Sequence, residues 1–220
     1  MEEKTGIIVI DLQGDFTELK SGPLAVKGTD SNYVDKVKKV TKKLKEIGYP
    51  IFATQDWHPH NHISFYTSHP GKNPFDLILY RGKKQVLWPP HCVQGSDGAK
   101  ILIEETLFDA IIQKGKAVEL ESYSGFKDEG ENITSLHPTL KARNITRIIT
   151  YGIAIDYCVR ATCLDGIELG YQVVMVKDLS RGVDPETTRK AIKEMKQAGV
   201  EIWNSVDPLL NDASSGSKGN

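Results

Sequence analysis

Six short runs of branched and aliphatic residues recur along this chain, and between them the apolar spacing widens from one typical of strands to one typical of helices. The runs are Gly6 to Ile10, Tyr49 to Thr54, Ala110 to Gln113, Thr146 to Tyr151, Tyr171 to Val176 and Val200 to Trp203. Strands that alternate with helices specify a parallel sheet, because each parallel connection must cross over the sheet and the helix is what makes the crossing. The expected fold is therefore α/β, three layers deep, with a central and mostly parallel six-stranded sheet. Between the first two runs, Val34, Val37, Val40, Leu44 and Ile47 return every three or four residues with lysines between them, which describes a helix with one apolar face. A second helix is expected after Tyr151, running through Leu169. A third begins where Asp184 can cap and Pro185 can take the first helical position, and Gly199 ends it.

One stretch departs from this rhythm. From Gln55 to Gly98 there are five histidines, five prolines and no clear period. Connections in such folds usually take about two to six residues, so an insertion of this length at about 55–98 points to function. The 220 residues suit one domain, assigned to 1–210, with the small polar residues 211–220 expected to be a disordered tail. Basic and acidic side chains nearly cancel, 28 against 29, so the chain offers no surplus field for nucleic acid or an anionic membrane. The longest aliphatic run, Ile7 to Ile10, cannot span a bilayer, and three cysteines cannot all pair, so a reducing cytoplasm is expected. No strand is followed by spaced glycines or a phosphate loop, which argues against a nucleotide cofactor.

In an open parallel sheet, chemistry collects beyond the carboxyl ends of the strands. The first run ends in Asp11, the second leads into Asp56 and His58, the third ends in Lys114, and Cys158 follows the fourth. Each residue alone has an ordinary structural explanation. Brought to one edge by the same topological rule, they form a candidate site. Cys158, at the start of a helix and near a cation at Lys114, is expected to favour the thiolate, with Asp11 placed to take and return a proton. Cys163 lies five residues on, about half a turn round the helix, and should be structural. Asp56 and His58 are two apart, so in an extended segment they share a face and could share a metal ion. Among the other histidines of the insertion, His60, His62, His69 and His91, the rigid Trp88-Pro89-Pro90 approach favours His91 as the third ligand.

With these residues placed, the chain resembles the nicotinamidases among the isochorismatase-like cysteine hydrolases. The resemblance runs from Gly6 to about Trp203. It rests on DLQGDF at Asp11–Phe16, QDWHP at Gln55–Pro59, LWPPHCV at Leu87–Val93, Lys114-Gly115, and YGIAIDYCVRAT at Tyr151–Thr162. Ile155 stands where many members have threonine, and Gly14 where asparagine is usual. The resemblance implies a catalytic triad of Asp11, Lys114 and Cys158, metal ligands Asp56, His58 and His91, and an oxyanion hole from the amides of Ala154 and Cys158 beside a cis Ile153–Ala154 peptide. It further implies aromatic walls at Phe16, Trp88, Tyr123 and Tyr157, with His62 or Ser64 as an additional metal ligand. The implied cofactor is one divalent ion, zinc first and iron or manganese as alternatives. The implied reaction is deamidation of nicotinamide, or of analogues such as pyrazinamide, to the acid and ammonia through a thioester. A small molecule is thus the expected partner, with a homo-oligomer left open. Rival readings of the same residues are an amidase for another small amide, a hydrolase whose metal activates water directly, and a silent metal-binding homologue.

Overall fold

The structure, a computed structural model, describes residues 3–216. Its centre is a sheet of six strands: β1 (Thr5–Ile10), β2 (Ile51–Asp56), β5 (Ala110–Lys114), β6 (Arg147–Gly152), β7 (Gln172–Val176) and β8 (Glu201–Trp203). The order across the sheet is β5-β2-β1-β6-β7-β8, and every neighbouring pair is parallel. The six runs read from the sequence are these six strands, and the sheet is wholly parallel.

Alternate residues of each strand point to opposite faces, and two helical layers cover them. On one face Ile7, Val9, Ile149, Tyr151 and Val174 pack with α1 (Ser31–Glu46) and α5 (Asp207–Gly216). On the other, Ile8, Ile10, Ile148, Val173 and Met175 pack with α2 (Leu136–Ala142), α3 (Arg160–Glu168) and α4 (Pro185–Gln197). Helix α1 buries Tyr33, Val34, Val37, Thr41 and Leu44, and its cap Asp30 accepts the Tyr33 amide at 3.0 Å. Asp184 caps α4 as expected, accepting the Glu186 and Thr187 amides at 2.8 and 3.0 Å.

Three differences from the sequence reading have local causes. The insertion holds a hairpin, β3 (Leu77–Tyr80) against β4 (Lys83–Val86), turned by Arg81 and Gly82 at φ 49° and 78°. Two consecutive positive φ values are what a tight hairpin turn needs, and the Arg-Gly pair that supplies them is a weak sequence signal beside Asn-Gly. The helix expected after Tyr151 starts as a π-turn over Ile155–Val159 before α3 begins. Helix α5 continues through Gly216, so residues 211–216 of the expected tail are helical, while 217–220 lie outside the described residues. No helix of the described residues is long and apolar enough to cross a membrane.

Chain order runs β1, β2, β5 toward one edge of the sheet and β6, β7, β8 toward the other. The direction reverses at β1 and β6, and that is where an open parallel sheet leaves a crevice beyond its carboxyl ends.

Candidate active site

Asp11 is the first residue beyond β1, and it sits in the left-handed region at φ 45°. Such a backbone costs an aspartate roughly 1–3 kcal/mol and persists where its surroundings hold it. Its side chain is fully buried. Thr54 donates to Oδ1 at 2.6 Å, and Lys114 Nζ lies 2.9 Å from Oδ2. Asp56 and Lys114 are register partners on β2 and β5, so the pairing that builds the sheet also sets their side chains next to each other. Lys114 Nζ donates to Asp56 Oδ1 and to the Ser122 carbonyl at 2.9 Å, and reaches Cys158 Sγ at 3.6 Å. Asp11, Asp56 and Cys158 each present an atom within 4.8 Å of the others. One lysine therefore joins two carboxylates and a thiol in a largely buried cluster.

Cys158 is carried by the π-turn after β6, a backbone form that recurs at functional sites. The Ile153–Ala154 peptide before it is cis. Burial pushes the Cys158 thiol well above the usual cysteine value; Lys114 pulls it down, but Asp11 and Asp56 push it up again. Burial thus favours the neutral thiol, against the thiolate expected from a helix start beside a lysine. The same burial, aided by Asp56 and opposed by Lys114, raises the Asp11 carboxyl. Lys114 stays charged, because Asp11 and Asp56 outweigh the burial that would discharge it.

On the other side of Asp56 lie the imidazoles. Asp56, His58 and His91 offer ligand atoms all within 4.8 Å of one another. His58 Nδ1 is 3.0 Å from the Gly115 carbonyl and His91 Nδ1 is 2.8 Å from the Pro89 carbonyl. A carbonyl can only accept, so each Nδ1 carries a proton and Nε2 is the nitrogen left for a cation; at His58, burial opposes a second ring proton but Asp56 favours one, which a cation would have to displace. Burial and the neighbouring His58 push His91 down to about 4, which keeps it neutral. Burial alone would raise Asp56, but Lys114, His58 and His91 together hold it well below the usual carboxylate range. One carboxylate and two such imidazoles suit a divalent metal. His62 lies tilted beside His58, with ring centroids 4.3 Å apart, yet both its nitrogens are engaged, Nδ1 with Ser64 Oγ at 2.8 Å and Nε2 with the Leu120 carbonyl at 3.0 Å. The additional ligand expected from His62 or Ser64 thus finds their polar atoms turned to each other.

A cavity of about 200 Å³ opens between the two groups. That is small beside the ~300–1,000 Å³ of drug-sized sites and suits a single ring. Phe16, Trp88, Tyr123 and Tyr157 line it as expected, together with Asp56, His91, Ala154 and Cys158. Trp88 meets Tyr157 edge-on at 5.4 Å and donates through Nε1 to the Tyr123 hydroxyl at 3.3 Å. Asp11, Lys114 and His58 lie beneath this lining rather than in it. Sequence reasoning missed Glu121, a buried carboxylate in the wall, and Phe75 and Val183, half-exposed at the mouth. Glu121 and Phe75 sit in segments without periodicity, so no sequence signal marked them. Val183 is placed by the turn ahead of α4.

The isochorismatase domain model matches residues 5–206, and the chain belongs to that family. The nicotinamidase of Escherichia coli (strain K12) is 38% identical over 206 residues, covering 91% of this chain and 95% of that one. A nicotinamidase structure from Acinetobacter baumanii superposes with a TM-score of 0.84 at 34% identity, over 94% of this chain and 99% of the other. The zinc complex of Pyrococcus horikoshii pyrazinamidase gives 0.75 at 36% identity, over 90% and 98%.

Proposed function

We propose that this protein hydrolyses nicotinamide to nicotinate and ammonia, with Cys158 as nucleophile. The observation that carries this reading is the single Lys114 ammonium shared by Asp11, Asp56 and Cys158, which couples a thiol and its proton acceptor to the floor of a ring-sized cavity. Cys158 Sγ attacks the carboxamide carbon while its proton passes to Asp11. The oxyanion that forms is held by the Ala154 and Cys158 amides. Asp11 then protonates the departing nitrogen, ammonia leaves, and a thioester remains on Cys158. Water attacks the thioester, its proton going to Asp11, and nicotinate departs as Sγ recovers a proton. Asp11 lies within reach of the thiol, so it is placed to take the proton from Sγ and to return it to the leaving nitrogen.

His58, His91 and Asp56 would hold the metal, which we take to be zinc, as in the Pyrococcus relative. When bound, it supplies an electron-pair acceptor for the pyridine nitrogen. Phe16, Trp88, Tyr123 and Tyr157 exclude water and confine the ring, so that the carboxamide faces Cys158. The catalytic unit is residues 1–210 with its 55–98 insertion. The three cysteines, free and buried, fit a reducing cytoplasm. Ammonia release from nicotinamide, measured before and after chelation and re-addition of zinc, tests this function. Turnover that requires the metal supports it, and absence of turnover in the zinc-loaded protein refutes it.

A further inference from the structure

Asp156 stands two residues before the proposed nucleophile, inside the same π-turn, with only 9% of its surface exposed. Its carboxylate accepts three hydrogen bonds, all from one segment beyond β7. The Val183 amide donates to Oδ1 at 3.0 Å, and the Asp184 amide and Thr187 hydroxyl donate to Oδ2 at 3.2 and 2.6 Å. Among the described residues no lysine or arginine forms an ion pair with it. Burying a carboxylate against neutral donors is costly unless those donors are fixed beforehand, here by the start of α4, whose dipole also favours the negative charge.

Helix α4 does not need Asp156 as a cap. Asp184 already accepts the Glu186 and Thr187 amides, so a second carboxylate there joins the segment to something else. The partner is the nucleophile turn. Arg181 donates its amide to the Gly152 carbonyl at 3.2 Å, and its own carbonyl accepts from the Ile155 amide at 2.8 Å. Residues 152–156 and 181–187 are thus laced together by backbone bonds at one end and by the Asp156 carboxylate at the other. Between these ties lie Ala154 and, just beyond them, Tyr157 and Cys158.

Resting on the amidase reading above, we propose that Asp156 is a positioning residue, whose carboxylate fixes the turn that aims the Cys158 thiol and the two oxyanion amides at the carboxamide. It touches no reacting atom. Its contribution falls on the step in which those amides meet a developing charge, so its loss lowers kcat more than it raises KM. Asp156→Asn keeps one acceptor oxygen but turns an NH2 toward a donor. It should lower kcat at least tenfold, about the scale expected from a small misplacement of catalytic groups, with KM changed less than about threefold. Asp156→Ala should fall at least as far. Thr187→Val removes one of the three bonds from an exposed position and should lower kcat by about threefold at unchanged Tm. Amide hydrogen exchange supplies a readout that needs no substrate: in Asp156→Asn, exchange should quicken in 152–159 as well as in 181–187, and stay as in the parent across α1. The proposal is overturned if kcat stays within twofold of the parent in both Asp156→Asn and Thr187→Val, or if faster exchange is confined to 181–187. Should the Asp156 variants not fold, Thr187→Val decides alone. Should the parent release no ammonia, the function fails and the exchange measurement still decides the role of Asp156.

Discussion

The two sides of the cavity, each a lining residue backed by buried groups, are built from similar materials and arranged for different work. At the sulfur wall, Cys158, Asp11 and Lys114 are packed so tightly that burial and mutual charge set every protonation state, leaving a protonated thiol beside a carboxyl of raised pKa. At the imidazole wall, backbone carbonyls fix the histidine tautomers and leave lone pairs pointing inward. In the proposed reaction the first arrangement would move protons and the second would hold a cation. Asp56 belongs to both, since Lys114 takes Oδ1 while His58 Nε2 lies 3.5 Å from Oδ2. The lesson is that bond making and substrate orientation can be assigned to opposite sides of one small space while sharing a single carboxylate.

The sharpest way to break this division is to remove the sulfur. Cys158→Ala should reduce turnover to below about one per cent of the parent, since loss of a nucleophile costs orders of magnitude, while zinc content measured by atomic absorption stays unchanged. Residual turnover above that level would move the chemistry to the metal side. Lys114→Ala attacks the link between the walls. It leaves Asp11 and Asp56 buried without their cation, and breaking such a pair costs about 3–5 kcal/mol, so denaturant unfolding should show a loss of that order and kcat should fall with it. A change below about 1 kcal/mol would mean that the two carboxylates do not depend on the lysine.

Metal removal separates the walls more finely. Nicotinamide should lose at least about a hundredfold in kcat/KM on chelation, a loss of orientation. Benzamide keeps the carboxamide and lacks the ring nitrogen, so it should begin as a poor substrate and change less than about threefold. Equal losses for the two would show the ion acting on the amide or the water instead. The smallest effect is expected at Cys163, which lies five residues from Cys158 but in the core, with burial pushing its thiol up to about 12 and Thr150 Oγ1 at 3.1 Å. Cys163→Ala should cost roughly 1 kcal/mol of stability for the lost sulfur and leave kcat within twofold. A larger loss of activity would show that the two thiols are not divided as burial suggests.

Period and punctuation in the sequence determined the six strands, helix α1, helix α4 with its cap, and the strand-end positions of Asp11, Asp56 and Lys114, because these depend on local pattern and on one topological rule. The same rule marked His58 and Cys158, the rigid Trp88-Pro89-Pro90 approach marked His91, and the family resemblance marked the four aromatic walls. Tertiary structure decided the rest. It placed Glu121 and Phe75 in the wall from segments with no periodic signal, occupied both nitrogens of His62, and brought Asp156 against a segment 27–31 residues away in the chain. It also reversed the expectation for Cys158. From the sequence, a cysteine at a helix start near a lysine reads as a thiolate, but the balance between burial and charge depends on distances in three dimensions. With the thiol buried and two carboxylates set near it besides the one ammonium, burial and the carboxylates favour the neutral form.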